Sequence, residues 1–486
     1  MSIIKVQDLT FAYPGSYDNV FENVDFQIDS NWKLGLIGRN GKGKTTLLKL
    51  LMGEYEYTGK ILHSVEFDYF PYPIQDKSLL THAVFEQICP ACEEWEMHRE
   101  LSLLAVRPDV LYRPFATLSN GEQTKILLAA LFLNKGRFLL IDEPTNHLDA
   151  DARASVAKYL RRKKGFILVS HDRAFLDACV DHILSINKAD IEVQSGNFSS
   201  FYENFKRVQD SETAKNEKLQ KDIKRLRRAG EQTAAWSDRV EKSKTGAADK
   251  GYVGHKAAKM MKRSKSIETR QKRALEEKQK LLKNAENQER LKILPLEYRS
   301  DKIAEFSDVC IYRNGKIICG PVSFTINKGD RIALCGKNGS GKSSLLKLLA
   351  GQTIEHSGKM TTGSGMILSY VPQDASGVQG SLRDLARKSG IEESLLKTLL
   401  SKLGLHKIQF EKDMQNLSDG QKKKVLLAKS LCERAHLYIW DEPLNFIDIY
   451  SRIQLEELIN SASPTIVFAE HDETFRNAIG AKTIEL

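Results

Sequence analysis

Four short motifs occur twice along the chain, in the same order and at nearly the same separation. The pairs are GRNGKGKT at 38–45 with GKNGSGKS at 336–343, LSNGEQ at 118–123 with LSDGQ at 417–421, IDEP at 141–144 with WDEP at 440–443, and HD at 171–172 with HD at 471–472. The offsets within the pairs are 298, 299, 299 and 300 residues. A repeat of this kind indicates a duplicated domain, and 486 residues are enough for two or three domains with buried cores.

Apolar segments surround these motifs in each half. Residues 34–37 are strand-like and lead into the first glycine-rich loop, and residues 45–51 after that loop are helix-like. The continuous apolar runs at 138–141 and 166–169 are typical of strands buried in a parallel sheet. Each half is therefore predicted to be an α/β domain.

The positive charge of the chain is concentrated between the two copies. The whole chain has 73 Lys and Arg against 63 Asp and Glu, a net charge of +10, and residues 201–290 alone contribute 25 against 14, a net of +11. A solvated helical face is one explanation of such a charge run. The concentration of the excess in one segment favours a polyanionic partner.

The same segment has a helical pattern of apolar residues interrupted by glycines. The residues that form the pattern are Leu219, Ile223 and Leu226, then Gly246, Gly251 and Gly254, then Met260, Ile267, Leu275 and Leu282. This pattern predicts two long helices that fold back at 244–254 and pack as an antiparallel coiled coil. The predicted domains are therefore 1–205, a basic helical hairpin at 206–295, and 296–486.

The glycine-rich loops have a phosphate-binding pattern. Their glycines let backbone N–H groups face the β- and γ-phosphates of a nucleotide, and Lys44 and Lys342 place an ammonium on those phosphates. Thr45 and Ser343 offer a hydroxyl to Mg²⁺. The predicted ATP-binding residues of the loops are Gly38, Asn40, Gly41, Gly43, Lys44, Thr45 and Thr46, and Gly336, Asn338, Gly339, Gly341, Lys342, Ser343 and Ser344.

Two acidic residues end a predicted strand in each half. Asp142 and Asp441 stand where the Mg²⁺ shell is completed. Glu143 and Glu442 follow directly, and a carboxylate there can polarise the attacking water as a general base. Helix capping is the alternative role for these acids, but the complete set of motifs favours catalysis.

This set of motifs resembles the ATP-binding cassette superfamily over nearly all of 1–205 and 296–486. The resemblance implies two cassettes that close around two ATP molecules, with the signature motif of each cassette on the ATP held by the other. Ser119 and Gly121 would then contact the ATP at Lys342, and Ser418 and Gly420 the ATP at Lys44. Further roles implied by the resemblance are adenine stacking for Tyr13 and Tyr312 (packing is the alternative), γ-phosphate contact for His171 and His471, and the D-loop for Asp149 and Asp448.

The two halves differ at one position of this pattern. The second half has YVPQ at 370–373, in which Gln373 resembles the Q-loop glutamine of the superfamily. The first half has YFPY at 69–72, so Tyr72 holds the matching place, and Gln75 lies three residues further on. We therefore expect the two ATP sites to differ. The predicted metal ligands are Thr45, Asp142, Ser343, Gln373 and Asp441.

Two cassettes joined by a long basic hairpin resemble the ABC-F subfamily. The segments NWKLGLIGRN at 31–40 and YIWDEPLN at 438–445 are similar to the Lsa-type proteins of its antibiotic-resistance branch. The resemblance implies a monomeric, cytoplasmic ATPase that binds the exit site of the 70S ribosome. Its hairpin would reach the 23S rRNA of the peptidyl-transferase centre and the P-site tRNA, and would displace lincosamides, pleuromutilins and streptogramin A. The predicted RNA-binding residues are Tyr252, Lys256, Lys259, Lys262, Arg263 and Lys265.

Two other functional classes share part of this pattern. A translation factor that rescues stalled ribosomes without any drug would have the same fold and sites. The spacings 75–118 and 373–417 are nearly equal, which leaves no room for the extra arm of housekeeping ABC-F factors. The energising subunit of a membrane transporter is the third class, but such subunits usually pair single cassettes with membrane domains, and a basic coiled coil between cassettes has no use there.

Overall fold

A computed structural model of the chain describes residues 2–15, 19–146, 148–186, 191–208, 210–211, 221, 293–337, 339–405 and 407–486. The chain divides into two units, Met1–Phe201 with Leu291–Leu486, and Tyr202–Arg290. The predicted coiled coil, its tip at 244–254 and the six predicted RNA-binding residues lie outside the described residues, as do Asn338 and His147.

The larger unit contains two copies of one α/β arrangement, which we call the N-terminal domain (up to Phe201) and the C-terminal domain (from Ile293). The strands of the N-terminal domain are β1 Ile3–Phe11, β2 Phe21–Asp29, β3 Lys33–Gly38, β4 Thr58–Leu62, β5 Glu66–Phe70, β6 Arg137–Asp142, β7 Phe166–Val169, β8 His182–Ile186 and β9 Ile191–Ser195. Its helices are α1 Lys44–Leu51, α2 Thr81–Ile88, α3 Glu94–Leu103, α4 Asn120–Leu133, α5 Ala150–Arg162 and α6 Arg173–Cys179, with 3₁₀ turns at Pro108–Tyr112 and Phe115–Thr117.

The C-terminal domain repeats this order. Its strands are β10 Lys302–Arg313, β11 Lys316–Asn327, β12 Arg331–Cys335, β13 His356–Thr362, β14 Leu368–Val371, β15 Leu437–Asp441, β16 Ile466–Ala469 and β17 Lys482–Glu485. Its helices are α7 Lys342–Leu349, α8 Leu382–Lys388, α9 Glu393–Lys402, α10 Asp419–Cys432, α11 Ile449–Ala462 and α12 Glu473–Ala478, with 3₁₀ turns at Lys407–Glu411 and Met414–Asn416.

Each domain has a parallel sheet that holds the repeated motifs. In the N-terminal domain the strand order is β5-β6-β7-β3-β8-β9, parallel except for the pairing of β8 with β9, and in the C-terminal domain it is β14-β15-β16-β12-β17, parallel throughout. All four residues of β7 and of β16 are buried, as their continuous apolar sequence predicts. The strands predicted at 34–37, 138–141 and 166–169 are confirmed.

A small antiparallel sheet covers each parallel sheet. Its strand order is β2-β1-β4 in the N-terminal domain and β11-β10-β13 in the C-terminal domain. Alternate side chains of these strands, such as Ile4 and Val6, are buried in the same apolar core as Leu34 and Leu47 from the parallel sheet and α1. The core therefore fixes the loop between β3 and α1, because elements on both sides of that loop pack into it.

None of the helices among the described residues is long and apolar enough to cross a membrane.

Candidate active site

The two glycine-rich loops connect an interior strand of each parallel sheet, β3 or β12, to a helix. In the N-terminal domain the loop runs from Gly38 at the end of β3 to Lys44 at the start of α1. Gly43 has a φ of 91°, and a Cβ atom there would lie 2.7 Å from a methyl carbon of Val20. Gly341 has the same φ, and a Cβ atom there would lie 2.6 Å from that of Cys319. Only glycine fits either position.

The loop lysines turn back over their own loops. The Nζ atom of Lys44 donates to the carbonyl of Gly38 at 2.8 Å and to the Oδ1 atom of Asn40 at 3.1 Å. That of Lys342 donates to the carbonyls of Gly336 at 2.8 Å and Lys337 at 2.9 Å. Burial lowers the pKa of both lysines, and nearby carboxylates oppose this shift. Each ammonium is thus held inside the loop where an anion would be bound.

The hydroxyl and aspartate predicted to share a metal lie within hydrogen-bonding distance in both domains. Thr45 donates to the Oδ2 atom of Asp142 at 2.7 Å, and Ser343 donates to the Oδ1 atom of Asp441 at 3.0 Å. The second carboxylate oxygen of Asp441 is buried and has no hydrogen-bond partner in the part of the chain that the structure describes. Hydroxyl and carboxylate oxygens are the ligands that Mg²⁺ prefers, so this donor set fits the ion.

The two glutamates that follow these aspartates have the same backbone conformation. Glu143 has a φ of 50° and Glu442 a φ of 48°, a left-handed conformation that is unusual outside glycine and is often found at functional sites. Burial, reinforced by the charge of Asp142, raises the pKa of Glu143 to about 8, although Lys44 and other cations oppose the shift. Burial thus makes the Glu143 carboxylate a stronger proton acceptor than an exposed glutamate.

The predicted switch histidines lie beside these glutamates. The Nε2 atom of His171 is 3.2 Å from the Oε1 atom of Glu143. Burial, with Lys44 nearby, lowers the pKa of His171 well below its usual value, and burial with the charges of Lys342 and Arg153 lowers that of His471 to about 4. Both imidazoles are neutral at physiological pH and can donate or accept a hydrogen bond.

The two domains meet at these loops. The side-chain amide of Asn40, in the first glycine-rich loop, donates to the carbonyl of Phe446 at 2.6 Å, and its backbone N–H lies 3.4 Å from the Oδ2 atom of Asp448. Gly420 packs on the same segment, since a Cβ atom there would lie 2.8 Å from that of Phe446. The predicted D-loop of the C-terminal domain therefore contacts the phosphate-binding loop of the N-terminal domain.

The signature serines cap the helices that follow them. Ser119 caps α4, accepting from the backbone N–H of Glu122 at 3.3 Å and donating its hydroxyl hydrogen to the carboxylate of Glu122 at 2.8 Å. Ser418 caps α10, accepting from the backbone N–H of Gln421 at 3.4 Å, and the side chain of Gln421 accepts from the backbone N–H of Ser418 at 3.1 Å. This capping box accounts structurally for the S-x-x-E/Q spacing in both copies.

The predicted difference between the two Q-loops is visible in the hydrogen bonds. In the C-terminal domain the Oε1 atom of Gln373 lies 3.5 Å from the hydroxyl of Ser343. In the N-terminal domain Tyr72 is 36% exposed, and it is the hydroxyl of Tyr69 that donates to Asp142, at 3.1 Å. The Q-loop therefore contributes Gln373 at the second hydroxyl–aspartate pair, whereas at the first pair the contact comes from Tyr69 of β5.

Of the remaining predicted residues, Tyr13 lies beside the first turn of α1, and Tyr312 lies beside β13. The Tyr13 hydroxyl is 2.6 Å from that of Thr46, and its ring is 42% exposed. The Tyr312 hydroxyl is 3.1 Å from that of Ser357. Ser344 is the residue after Ser343 in α7.

Two buried groups near the sites are absent from the sequence-based predictions. Arg173 forms a two-hydrogen-bond ion pair with Glu456 of the other domain. Lys423, 3% exposed, donates to three backbone carbonyls beside the second Q-loop. Their partners are distant in sequence or are backbone atoms, so no motif or spacing pointed to either group.

Comparison with known proteins agrees with the family that the sequence motifs indicate. The family model described as "ABC transporter" matches residues 21–146 and 319–445. The chain is 26% identical to the putative ATP-binding protein YdiF of Bacillus subtilis (strain 168), over 100% of this chain and 80% of that protein. It is 28% identical to the ribosome protection protein VmlR of the same strain (96% and 83%) and 28% identical to the probable ATP-binding protein YheS of Escherichia coli (strain K12) (93% and 74%).

Solved structures share this fold. One is a chain in the crystal structure of the complex of archaeal ribosomal stalk protein aP1 and archaeal ribosome recycling factor aABCE1, with a TM-score of 0.64, 18% identity, and coverage of 98% of this chain and 87% of that chain. Another is described as RNase-L Inhibitor, with a TM-score of 0.62, 18% identity, and coverage of 99% and 87%. At this identity the likeness shows the fold alone.

Proposed function

Because the chain belongs to the ABC transporter family and is an ATP-hydrolysing enzyme, we propose that it is an ABC-F type ATPase that acts on ribosomes. In this proposal it protects the peptidyl-transferase centre from lincosamides, pleuromutilins and streptogramin A. The observation that carries the proposal is the net charge of +11 confined to residues 201–290, between two domains whose remaining residues are nearly neutral. A segment of this charge suits RNA phosphate.

One relative supports a ribosomal partner. It aligns with 96% of the chain and is a ribosome protection protein. In the proposal, the domains supply the ATP-driven closing and residues 206–295 supply the contact with 23S rRNA and P-site tRNA.

The chemistry of the proposal uses the residues of the two loops. Lys44 and Lys342, with the backbone N–H groups around them, hold the β- and γ-phosphates of ATP. Thr45 with Asp142, and Ser343 with Asp441 and Gln373, would hold Mg²⁺, which neutralises phosphate charge when bound. Glu143 and Glu442 accept a proton from the attacking water.

In the closed form each ATP-binding site is completed by residues of the other domain. Ser119 and Gly121 of the N-terminal domain cover the ATP at Lys342, and Ser418 and Gly420 cover the ATP at Lys44. The contact of Asn40 with the segment around Asp448 supports this assignment, because it places elements of both domains at one phosphate-binding loop. His171 and His471 then contact the γ-phosphate.

Ribosome binding is tested by its salt dependence. Each phosphate neutralised by a lysine or arginine releases counterions, so affinity should fall steeply as salt increases. Replacing Lys259, Lys262 and Arg263 with Ala should weaken co-sedimentation with 70S ribosomes and flatten the salt dependence by about two to three units of log–log slope. The matched control replaces three exposed lysines of the C-terminal domain with Ala: Lys316, Lys359 and Lys388. An unchanged slope in the first variant would leave the basic run as a solvated face.

Drug protection is tested separately from ribosome binding. The chain should raise the inhibitory concentrations of the three drug classes in a sensitive bacterium, and Tyr252→Ala should reduce that effect while ribosome-stimulated ATP hydrolysis stays near normal. An aromatic ring at the tip suits stacking on an unpaired base. Ribosome binding without resistance to any of the three classes would favour the stalled-ribosome factor instead.

A further inference from the structure

Lys423 lies in α10, one turn after the signature residues Ser418 and Gly420, and its side chain points into the domain. Its ammonium donates to the carbonyls of Pro372 at 2.6 Å, Asp441 at 2.7 Å and Gln373 at 3.3 Å. A lysine ammonium has three N–H donors, so all three are used on backbone oxygens. The residue is 3% exposed, which makes the arrangement costly to leave unsatisfied.

The three carbonyls belong to the parts of the C-terminal domain that surround its hydroxyl–aspartate pair. Pro372 and Gln373 follow β14 and carry the side chain that reaches Ser343. Asp441 ends β15 and accepts from Ser343 through its side chain. Lys423 is therefore hydrogen-bonded to the backbone carbonyls of two predicted metal ligands, Gln373 and Asp441, and not to the side-chain oxygens predicted to bind the metal.

The N-terminal domain lacks both members of this arrangement. The position equivalent to Lys423 is Thr124, at the offset of 299 residues that relates the signature motifs, and the position equivalent to Gln373 is Tyr72. A threonine side chain is too short to reach both backbone segments, and it has no ammonium group. The anchoring cation and the Q-loop glutamine thus occur together in one domain and are replaced together in the other.

We propose that Lys423 is a positioning residue that fixes the Gln373 loop against the end of β15, so that Gln373, Ser343 and Asp441 present their oxygens to Mg²⁺ at the Lys342 site. The proposal rests on ATP hydrolysis at that site and not on ribosome binding. A buried lysine that only stabilises the fold would affect the melting temperature but would have no specific link to Gln373. The experiment separates these two roles.

The test replaces Lys423 with Thr, the residue that the other domain has at this position. The variants are made in a Glu143→Gln background, so that the measured hydrolysis comes from the Lys342 site. The Mg²⁺ concentration for half-maximal hydrolysis should rise about five- to tenfold in Lys423→Thr, as expected from losing the order provided by buried charged hydrogen bonds. Lys422→Thr, one residue away and partly exposed, is the matched control and should leave it unchanged.

Two further readouts test the proposal. The first does not depend on the activity of the Mg²⁺-loaded enzyme, and the second does not depend on one variant alone. In the nucleotide-free protein, amide hydrogen exchange in residues 371–376 should become faster in Lys423→Thr and not in Lys422→Thr. In a double-variant cycle, Lys423→Thr should add little to the Mg²⁺ requirement of Gln373→Ala. The lysine acts by positioning Gln373, so its loss has little further effect once that side chain is gone.

Three results would overturn the proposal. One is wild-type exchange in residues 371–376, the second is a wild-type Mg²⁺ requirement in folded Lys423→Thr, and the third is full additivity with Gln373→Ala. If Lys423→Thr fails to fold, Lys423→Met retains the buried aliphatic stem and is subjected to the same measurements. Ribosome binding enters none of these assays, so their outcome is independent of the proposed ribosomal role.

Discussion

The ion pair between Arg173 and Glu456 joins the two domains at a place that has no matching ion pair at the equivalent positions. The Nη1 atom of Arg173 donates to the Oε2 atom of Glu456 at 3.1 Å, a second hydrogen bond joins the other two atoms, and the residues are 8% and 7% exposed. The positions equivalent to them in the opposite domains are Glu473 and Ala157, which cannot form an ion pair. We therefore expect perturbations of this pair to loosen one side of the interface.

The expected magnitude follows from the burial of the pair. Burial raises the pKa of Glu456 even though Arg173 opposes the shift, so desolvation outweighs the attraction. Removing one partner breaks a buried ion pair and should cost about 3–5 kcal/mol in the free energy of domain opening. Replacing both, as Arg173→Met with Glu456→Leu, should cost much less than the sum of the single changes, with a coupling energy of about 2–3 kcal/mol.

Native-state hydrogen exchange measures this quantity directly. The free energy of opening is read from the amides of α6 and α11, which carry the two residues, in the wild-type chain, both single variants and the double variant. Glu473→Gln, at the exposed equivalent position, is the matched control and should leave the same amides unchanged. If the double variant costs the sum of the two single variants to within about 0.5 kcal/mol, the two residues are not coupled and the reasoning fails.

Three further predictions concern the active site. Glu143→Gln combined with Glu442→Gln should abolish ATP hydrolysis while nucleotide binding survives, and wild-type turnover in this variant would refute the assignment of the general bases. The two single variants should retain unequal rates with ribosomes present, because Tyr72 replaces the Q-loop glutamine in one domain, and equal rates would remove Tyr72 from the explanation. His471 has a folded pKa of about 4 against 6.5 in the unfolded chain, so the unfolded state binds more protons in this window and stability should rise with pH across it. His471→Gln should flatten this dependence by about 2–4 kcal/mol in melting experiments between pH 4 and 6.5, at about 1.36 kcal/mol per pKa unit, and an unchanged profile would show that the histidine is not responsible.

The elements around the motifs could be predicted because their physical requirements are local. Strands buried on both faces, such as β7, need continuous apolar sequence, and a loop that folds around phosphate needs glycine where φ is positive, as at Gly43. The contacts of Lys423 could not be predicted in this way. Its acceptors are backbone carbonyls, which every residue has, and two of them belong to residues 51 and 50 positions away.

The ion pair of Arg173 with Glu456 escaped prediction for a related reason. Its members are 283 residues apart, and each is an ordinary charged residue on a helix until the two domains meet. The hydroxyl of Tyr69 on Asp142 also depends on the pairing of β5 with β6, which the sequence of either strand does not specify. The hairpin at 206–295 and its RNA contacts remain predictions from the sequence.

The capping box at Ser119 sets a different electrostatic condition from the one at Ser418. The hydroxyl hydrogen of Ser119 is already donated to a carboxylate, that of Glu122. A phosphate oxygen arriving at this hydroxyl would have to displace one anion with another, and both negative charges would then share the first turn of α4. At Ser418 the corresponding side chain is the neutral amide of Gln421. Asp419 also gives α10 a carboxylate in its first turn, so the two signature helices differ in the partner of the serine and not in the charge of that turn. At Ser119 a phosphate would compete with the carboxylate of Glu122 for the hydroxyl hydrogen, and this competition would weaken as salt screens the charges.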